Sequence, residues 1–147
     1  MKAHEWHDRG TTSNDPIDAF ANFWRGFNNL FAAQGKAQER EKIRAFIQAS
    51  VTEDRAADIL ESAKHSVNYL LSEPVVDMRG NNKDTAGNVA AYGTATTERA
   101  KLEELAMIIY QVRCNLEHGQ KSPNRQRDVQ LCASSSPIIA AIVRGDA

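Results

Sequence analysis

Apolar residues recur along most of the chain at intervals of three and four, the period of a helix that buries one face. After Asp15-Pro16, an N-cap followed by proline in the first turn, the residues Ile17, Phe20, Phe23, Trp24, Phe27, Leu30 and Phe31 form one stripe, closed by Gly35. Ile43, Phe46 and Ile47 share one side of a second helix, with charges opposite. Thr52 opens a third, in which Ala56, Ile59, Leu60, Ala63, Val67, Leu70 and Leu71 keep a single period. It stops before Pro74, because the residue preceding a proline is pushed out of the helical region. Thr97 caps a fourth, with Leu102, Leu105, Ala106, Ile109, Val112 and Leu116 as its stripe and Gly119 as its stop. The last, within "SPNRQRDVQLCASSSPIIAAIVRG", is predicted to kink or break around Pro137.

Two segments lack this period. Residues 1–15 are polar and read as an arm that packs at most through Trp6. Residues 74–96, rich in Gly, Asn and Asp, read as a long irregular loop, a connection uncommon in compact domains and often functional. Repeats and convincing strand patterns are absent. The prediction is an all-α fold: an antiparallel helical bundle of about five helices, forming a single domain over 16–145 behind the 1–15 arm.

Composition narrows the function classes. With 147 residues, 41% hydrophobic and 25% charged, the chain fits one ordinary folded core rather than a disordered segment. A net charge of -1 supplies no global attraction to nucleic acid or anionic lipid, so any such binding must come from a local patch. Cys114 and Cys132 fit no CxxC spacing, and reduced thiols are expected. Without an apolar leader or a run approaching the ~18 residues of a membrane span, the expected setting is cytoplasmic, with no membrane partner. No cofactor is implied. His4, His7 and Asp8 in "HEWHD" could approach one another on a helix, but a metal site needs three or four supported ligands. No metal is expected there.

The chemistry-bearing stretch is "YQVRCNLEHGQK", Tyr110 to Lys121. Arg113 and His118 are five residues apart, about 140° around an ideal helix, so they flank the buried stripe and converge only if the last turn loosens. Histidine exchanges protons near neutral pH. Arginine offers a permanently charged fork to phosphate oxygens. RNA brings its own nucleophile, the 2′-hydroxyl, so such a pair suits metal-free phosphodiester cleavage, with a second proton donor still required. Lys121, Arg125 and Arg127 follow in "HGQKSPNRQR" without an acidic residue, a local basic footprint for the RNA backbone. Against this stands the plain reading that Arg and His simply suit the negative end of a helix dipole.

Read together, these stretches resemble the HEPN superfamily, whose signature is an arginine, four to six residues and a histidine; the interval here is four. The ending with Gly119 and Lys121 is similar to that family's "HG-x-K". "DAFANFWRGFNNLF", through Trp24, Phe27 and Asn28, is similar to its aromatic helix, and "RDVQLCASSSPIIAAIV" to its last helix. The resemblance implies a helical bundle that dimerises through its motif helices. It also implies a metal-independent endoribonuclease, often a toxin or antiviral effector, with a composite site at the homodimer interface. Arg113 would then bind the scissile phosphate and His118 act as acid or base, the partner subunit's His118 supplying the second proton transfer. RNA and a second copy are the expected partners, with an antitoxin or other regulatory protein beside them. Asn28 is expected to brace the motif helix. Cys114 stands where the family usually has a polar residue, with Asn115 one place later, and Glu117 stands beside the histidine, where a carboxylate would orient the imidazole or repel phosphate. The alternative is a non-catalytic HEPN-like nucleotide-binding or protein-interaction module.

Overall fold

A computed structural model describes residues 2–35, 38–118 and 125–145. Eight helices make up the described residues: α1 (Lys2–Thr12), α2 (Pro16–Phe31), α3 (Glu39–Ser50), α4 (Glu53–Ser62), α5 (Lys64–Ser72), α6 (Ala86–Thr94), α7 (Glu98–Glu117) and α8 (Gln126–Arg144). They contain no strand, only an isolated bridge between Val76 and Asp84. The fold is an all-α bundle, with more and shorter helices than the periodicity suggested.

Three caps form where the side chains dictate. Asp15 Oδ1 accepts from the Ile17 and Asp18 N–H groups at 2.8 and 3.1 Å, with Pro16 inside the first turn. Thr52 and Thr97 accept from Arg55 and Ala100 N–H, each at 3.1 Å. The Glu53 carboxylate also takes the Glu98 and Arg99 N–H groups at 2.9 and 3.1 Å, fixing the start of α7 against α4.

At the centre lies α7. Leu105 to Ile109 are buried without interruption, which a helix shows only when it is enclosed on every side. It packs on α3, α4, α5, α6 and α8, while α2 lies against α8 and α1. The aromatic stripe of α2 enters the same core: Phe20, Phe23, Trp24, Phe27 and Phe31 are buried, and Trp24 sits edge-on to Phe27 with centroids 5.3 Å apart.

Five segments depart from the sequence expectation. Residues 2–12, expected as a polar arm, form α1, which approaches α2 closely at small residues and sets the His7 ring edge-on to Phe23 at 5.4 Å. A Cβ on Gly10 would lie 2.8 Å from the Phe23 ring, and one on Gly26 2.7 Å from the Ala3 carbonyl oxygen. The helix predicted after Thr52 is two, divided at Ala63 (φ -105°, ψ 26°); the apolar spacing continues across the break and so does not reveal it. The expected long loop of 74–96 contains a helix, α6, of nine residues, preceded by an ordered turn at 75–85. α8 runs continuously through Pro137, with the Ser135 and Ser136 hydroxyls donating to the Leu131 and Cys132 carbonyls at 2.7 and 3.1 Å. α2 also ends at Phe31, four residues before Gly35. Gly119, the predicted stop of α7, lies outside the described residues.

Candidate functional site

The core face of α7 is sealed, and its second half reaches the surface along Tyr110, Arg113, Leu116, Glu117 and His118. Arg113 is 21% exposed at its side chain, with its Nη1 2.6 Å from Glu117 Oε2 and 3.9 Å from Glu39 Oε1. One helical turn separates Arg113 from Glu117, the spacing at which opposite charges meet on a helix surface. The closest approach of Arg113 to each of these carboxylates is made by Nη1. The guanidinium lies 5.9 Å from the Trp24 ring centroid, so α2 positions it as well.

His118 is the C-cap of α7. Its backbone N–H reaches the Cys114 carbonyl at 3.1 Å, and its side chain is exposed. The last turn thus presents the imidazole to solvent while Arg113 remains half-buried a turn earlier. Glu117, expected beside the imidazole, turns instead to Arg113. Between them, Cys114 is buried, and burial pushes its thiol above the ordinary range despite the opposing pull of a Tyr110 hydrogen bond and of Arg113 and Arg40. That disfavours a thiolate nucleophile. Burial likewise raises Tyr110, whose hydroxyl lies 3.4 Å from Glu39 Oε1.

Asn115 does something the sequence did not disclose. It is 1% exposed, and its Oδ1 accepts from Met78 N–H at 3.1 Å and Gln111 Nε2 at 3.0 Å, while its Nδ2 donates to the Val76 carbonyl at 2.8 Å. One amide therefore fastens the 75–85 turn to α7. Within that turn Asp77 is 2% exposed and receives Arg79 Nε and Nη2 at 3.0 and 2.8 Å and Asn81 Nδ2 at 2.9 Å. The Arg79 guanidinium holds the Asp77 carboxyl well below the usual carboxylate range. Gly80 and Asn82, with φ of 78° and 61°, make the reversal.

The basic residues fall into two groups. Arg127 is used by the fold: its Nη2 donates to the Glu73 carbonyl at 3.1 Å, its Nε pairs with Glu73 Oε2 at 3.7 Å, and it lies over the Tyr69 ring at 5.4 Å. Arg125 is largely exposed and 3.9 Å from Asp128 Oδ2. Lys121 lies outside the described residues. The cations near the outer face of α7 come from elsewhere: Arg40 lies over Tyr110 at 4.7 Å, Arg79 stands on the turn that Asn115 fastens to α7, and Arg25 shares two cavities with Arg113. Scattered over α2, α3 and the 75–85 turn, they leave no run in the sequence.

Asn28 is half-buried on a cavity wall with Arg113; the buried amide of α2 is Asn22, whose Nδ2 donates to Ser13 Oγ at 3.1 Å and whose Oδ1 accepts from Arg25 at 2.7 Å. Among the described residues, no group of three His, Cys, Asp or Glu side chains is placed to hold a metal ion. No helix among them is long and apolar enough to cross a membrane.

Residues 3–145 match the family described as methylamine utilization protein MauJ. The chain belongs to the MauJ family. The match begins inside α1 and ends after α8, so for this MauJ-family chain α1 is part of the family's unit rather than an appendage to it. No curated protein and no solved structure matches the chain.

Proposed function

We propose that this MauJ-family chain is a HEPN-type protein that cuts RNA without a metal, at a site of Arg113 and His118 completed by a second copy. One observation carries the reading: a half-buried arginine stands at the meeting of two cavities, on the helix whose exposed cap is the histidine. In the proposed step the 2′-oxygen attacks phosphorus and the 5′-oxygen leaves. One imidazole takes the 2′ proton and the other, from the partner subunit, protonates the leaving oxygen. The products are a 2′,3′-cyclic phosphate and a 5′-hydroxyl. Arg113 holds the phosphate and offsets its developing charge once the phosphate displaces the Glu117 carboxylate or shares the guanidinium with it.

The contact with Glu117 favours a second reading, a HEPN-type module that binds nucleotide or RNA and does not cut it. A phosphate must compete with a carboxylate 2.6 Å from the same guanidinium. The family's description, methylamine utilization, names a metabolic setting and lends no support to a toxin or antiviral role. Labelled RNA incubated in EDTA with wild type, Arg113→Ala and His118→Ala separates the two. Cleavage lost in both variants, with fold and assembly intact, supports the nuclease; binding without cleavage in the wild type leaves the module.

A further inference from the structure

Two cavities, of about 300 and 270 Å³, open at the junction of α1, α2 and α7, and both are lined by Trp24, Arg25 and Arg113. The first continues along Ala21, Leu116 and Glu117 towards the end of α7. The second runs away from it, past Trp6, Asn28 and Asn29. Each is at the lower limit of small-molecule sites, roughly 300–1,000 Å³, enough for one nucleotide and too small for a duplex.

The walls of the second cavity carry what a single-stranded nucleotide needs. Trp6 offers an aromatic face, already occupied by cations: Arg25 lies 5.3 Å and Arg9 6.0 Å from its centroid. Guanidiniums that can lie on a ring or reach a phosphate accompany aromatic platforms in strand-binding proteins. Asn28 and Asn29 add amides that both donate and accept, as base edges require. Trp24, 3% exposed, has an indole N–H that meets no acceptor among the described residues. A buried donor without a partner is rare; this one is sealed from both cavities, although other atoms of Trp24 line them. Across the two linings Glu117 is the single carboxylate against two guanidiniums.

The geometry points to a flanking-nucleotide subsite between α1 and α2, in which Trp6 stacks a base of single-stranded RNA and Arg25 holds the phosphate next to the one at Arg113. It rests on the proposed reading in taking RNA as the ligand, and it does not require that the RNA be cut. In this arrangement α1 serves binding as well as packing, since it brings Trp6 to the edge of the Arg113 site.

The chain contains two tryptophans, and both line this cavity, so intrinsic fluorescence reports on it directly. The probe is a single-stranded oligoribonucleotide carrying 2′-O-methyl groups, which lacks the nucleophile for cleavage, titrated at several salt concentrations into wild type and variants. Saturable quenching is expected from the wild type. Arg25→Ala should bind roughly tenfold more weakly, with the salt slope reduced by about 0.7, the contribution of one phosphate contact on a single strand. Trp6→Phe, which keeps a ring in place, should bind nearly as well and lose part of the quench. Lys64→Ala, an exposed cation beside a different cavity, should behave as wild type. Wild-type affinity and slope in Arg25→Ala, an equal loss in Lys64→Ala, or no quenching in the wild type would overturn the subsite. RNA bound with the expected dependences, yet left intact when its 2′-hydroxyls are free, keeps the subsite and removes the ribonuclease reading. Cleavage through Arg113 and His118 with Arg25→Ala binding as wild type does the reverse.

Discussion

At the scale of single residues, carboxylates determine what the arginines can do. Glu117 is half-exposed and its pair with Arg113 is a surface contact, so Glu117→Gln should change stability by less than about 1 kcal/mol. It should tighten RNA binding severalfold by releasing Arg113, measured as a lower dissociation constant at fixed salt; unchanged or weaker binding would show that the pair does not compete with phosphate. Asp77 is the opposite case, buried and doubly held by Arg79. Its folded-state pKa is lowered, so the stability it contributes is present above the ordinary carboxylate range and lost as pH falls through the folded value. Asp77→Asn should therefore cost about 1–3 kcal/mol near neutral pH. In urea titrations that difference from wild type should persist to about pH 4 and shrink only in stronger acid. A gap that widens on acidification would contradict the assignment. That Arg113 and His118 would reach the surface at the end of α7 was legible from their spacing against the apolar stripe, because a helix end converts sequence position into surface position. The roles of Arg127 and Asn115 were not: both bind backbone some 40 to 50 residues away, a relation that no local pattern encodes.

At the scale of elements, the apolar period found the segments that bury large side chains, running α4 and α5 together, and missed the helices that bury few. α1 buries Ala3 and Gly10, and α6 has no fully buried residue; neither generates a stripe of large apolar positions. Close approach through glycine leaves its own signature, and it is testable. Gly26→Ala gains helix propensity but places a methyl group against the Ala3 carbonyl, so a net loss of about 1–3 kcal/mol is expected. Proteolysis should report release of α1, since α2 retains its core contacts with α8. A more stable Gly26→Ala variant with α1 still protected would mean that the two helices do not meet as closely as described. Pro137 carries the complementary lesson: a residue that breaks exposed helices is accommodated in α8, where serine hydroxyls bond back to the preceding turn.

At the scale of the molecule, the candidate site is an edge of the bundle onto which two cavities open. α7 is enclosed over most of its length and surfaces at the end that bears Arg113 and His118, between α2 and the 75–85 turn. Among the described residues Val76 is the large hydrophobic side chain left exposed. A second copy docking on this edge would therefore meet mostly charged and polar groups, unlike the apolar core of obligate dimers. The proposed dimer should weaken as salt rises from about 0.05 to 0.5 M, the range over which screening between exposed charges becomes strong; sedimentation velocity checks this, and a salt-insensitive dimer would place the interface elsewhere. The all-α class was legible from periodicity alone. How the short helices enclose α7 was not, because that depends on small residues and on polar ties between distant segments, such as those of Glu53 and the buried Asn115. The central claim is the chemistry assigned to this edge, and the ends of the RNA fragments test it most directly. After incubation in EDTA, mass spectrometry should find 2′,3′-cyclic phosphate and 5′-hydroxyl ends from the wild type and none from His118→Ala. Intact RNA, or 3′-hydroxyl ends that appear only with added metal, would contradict it.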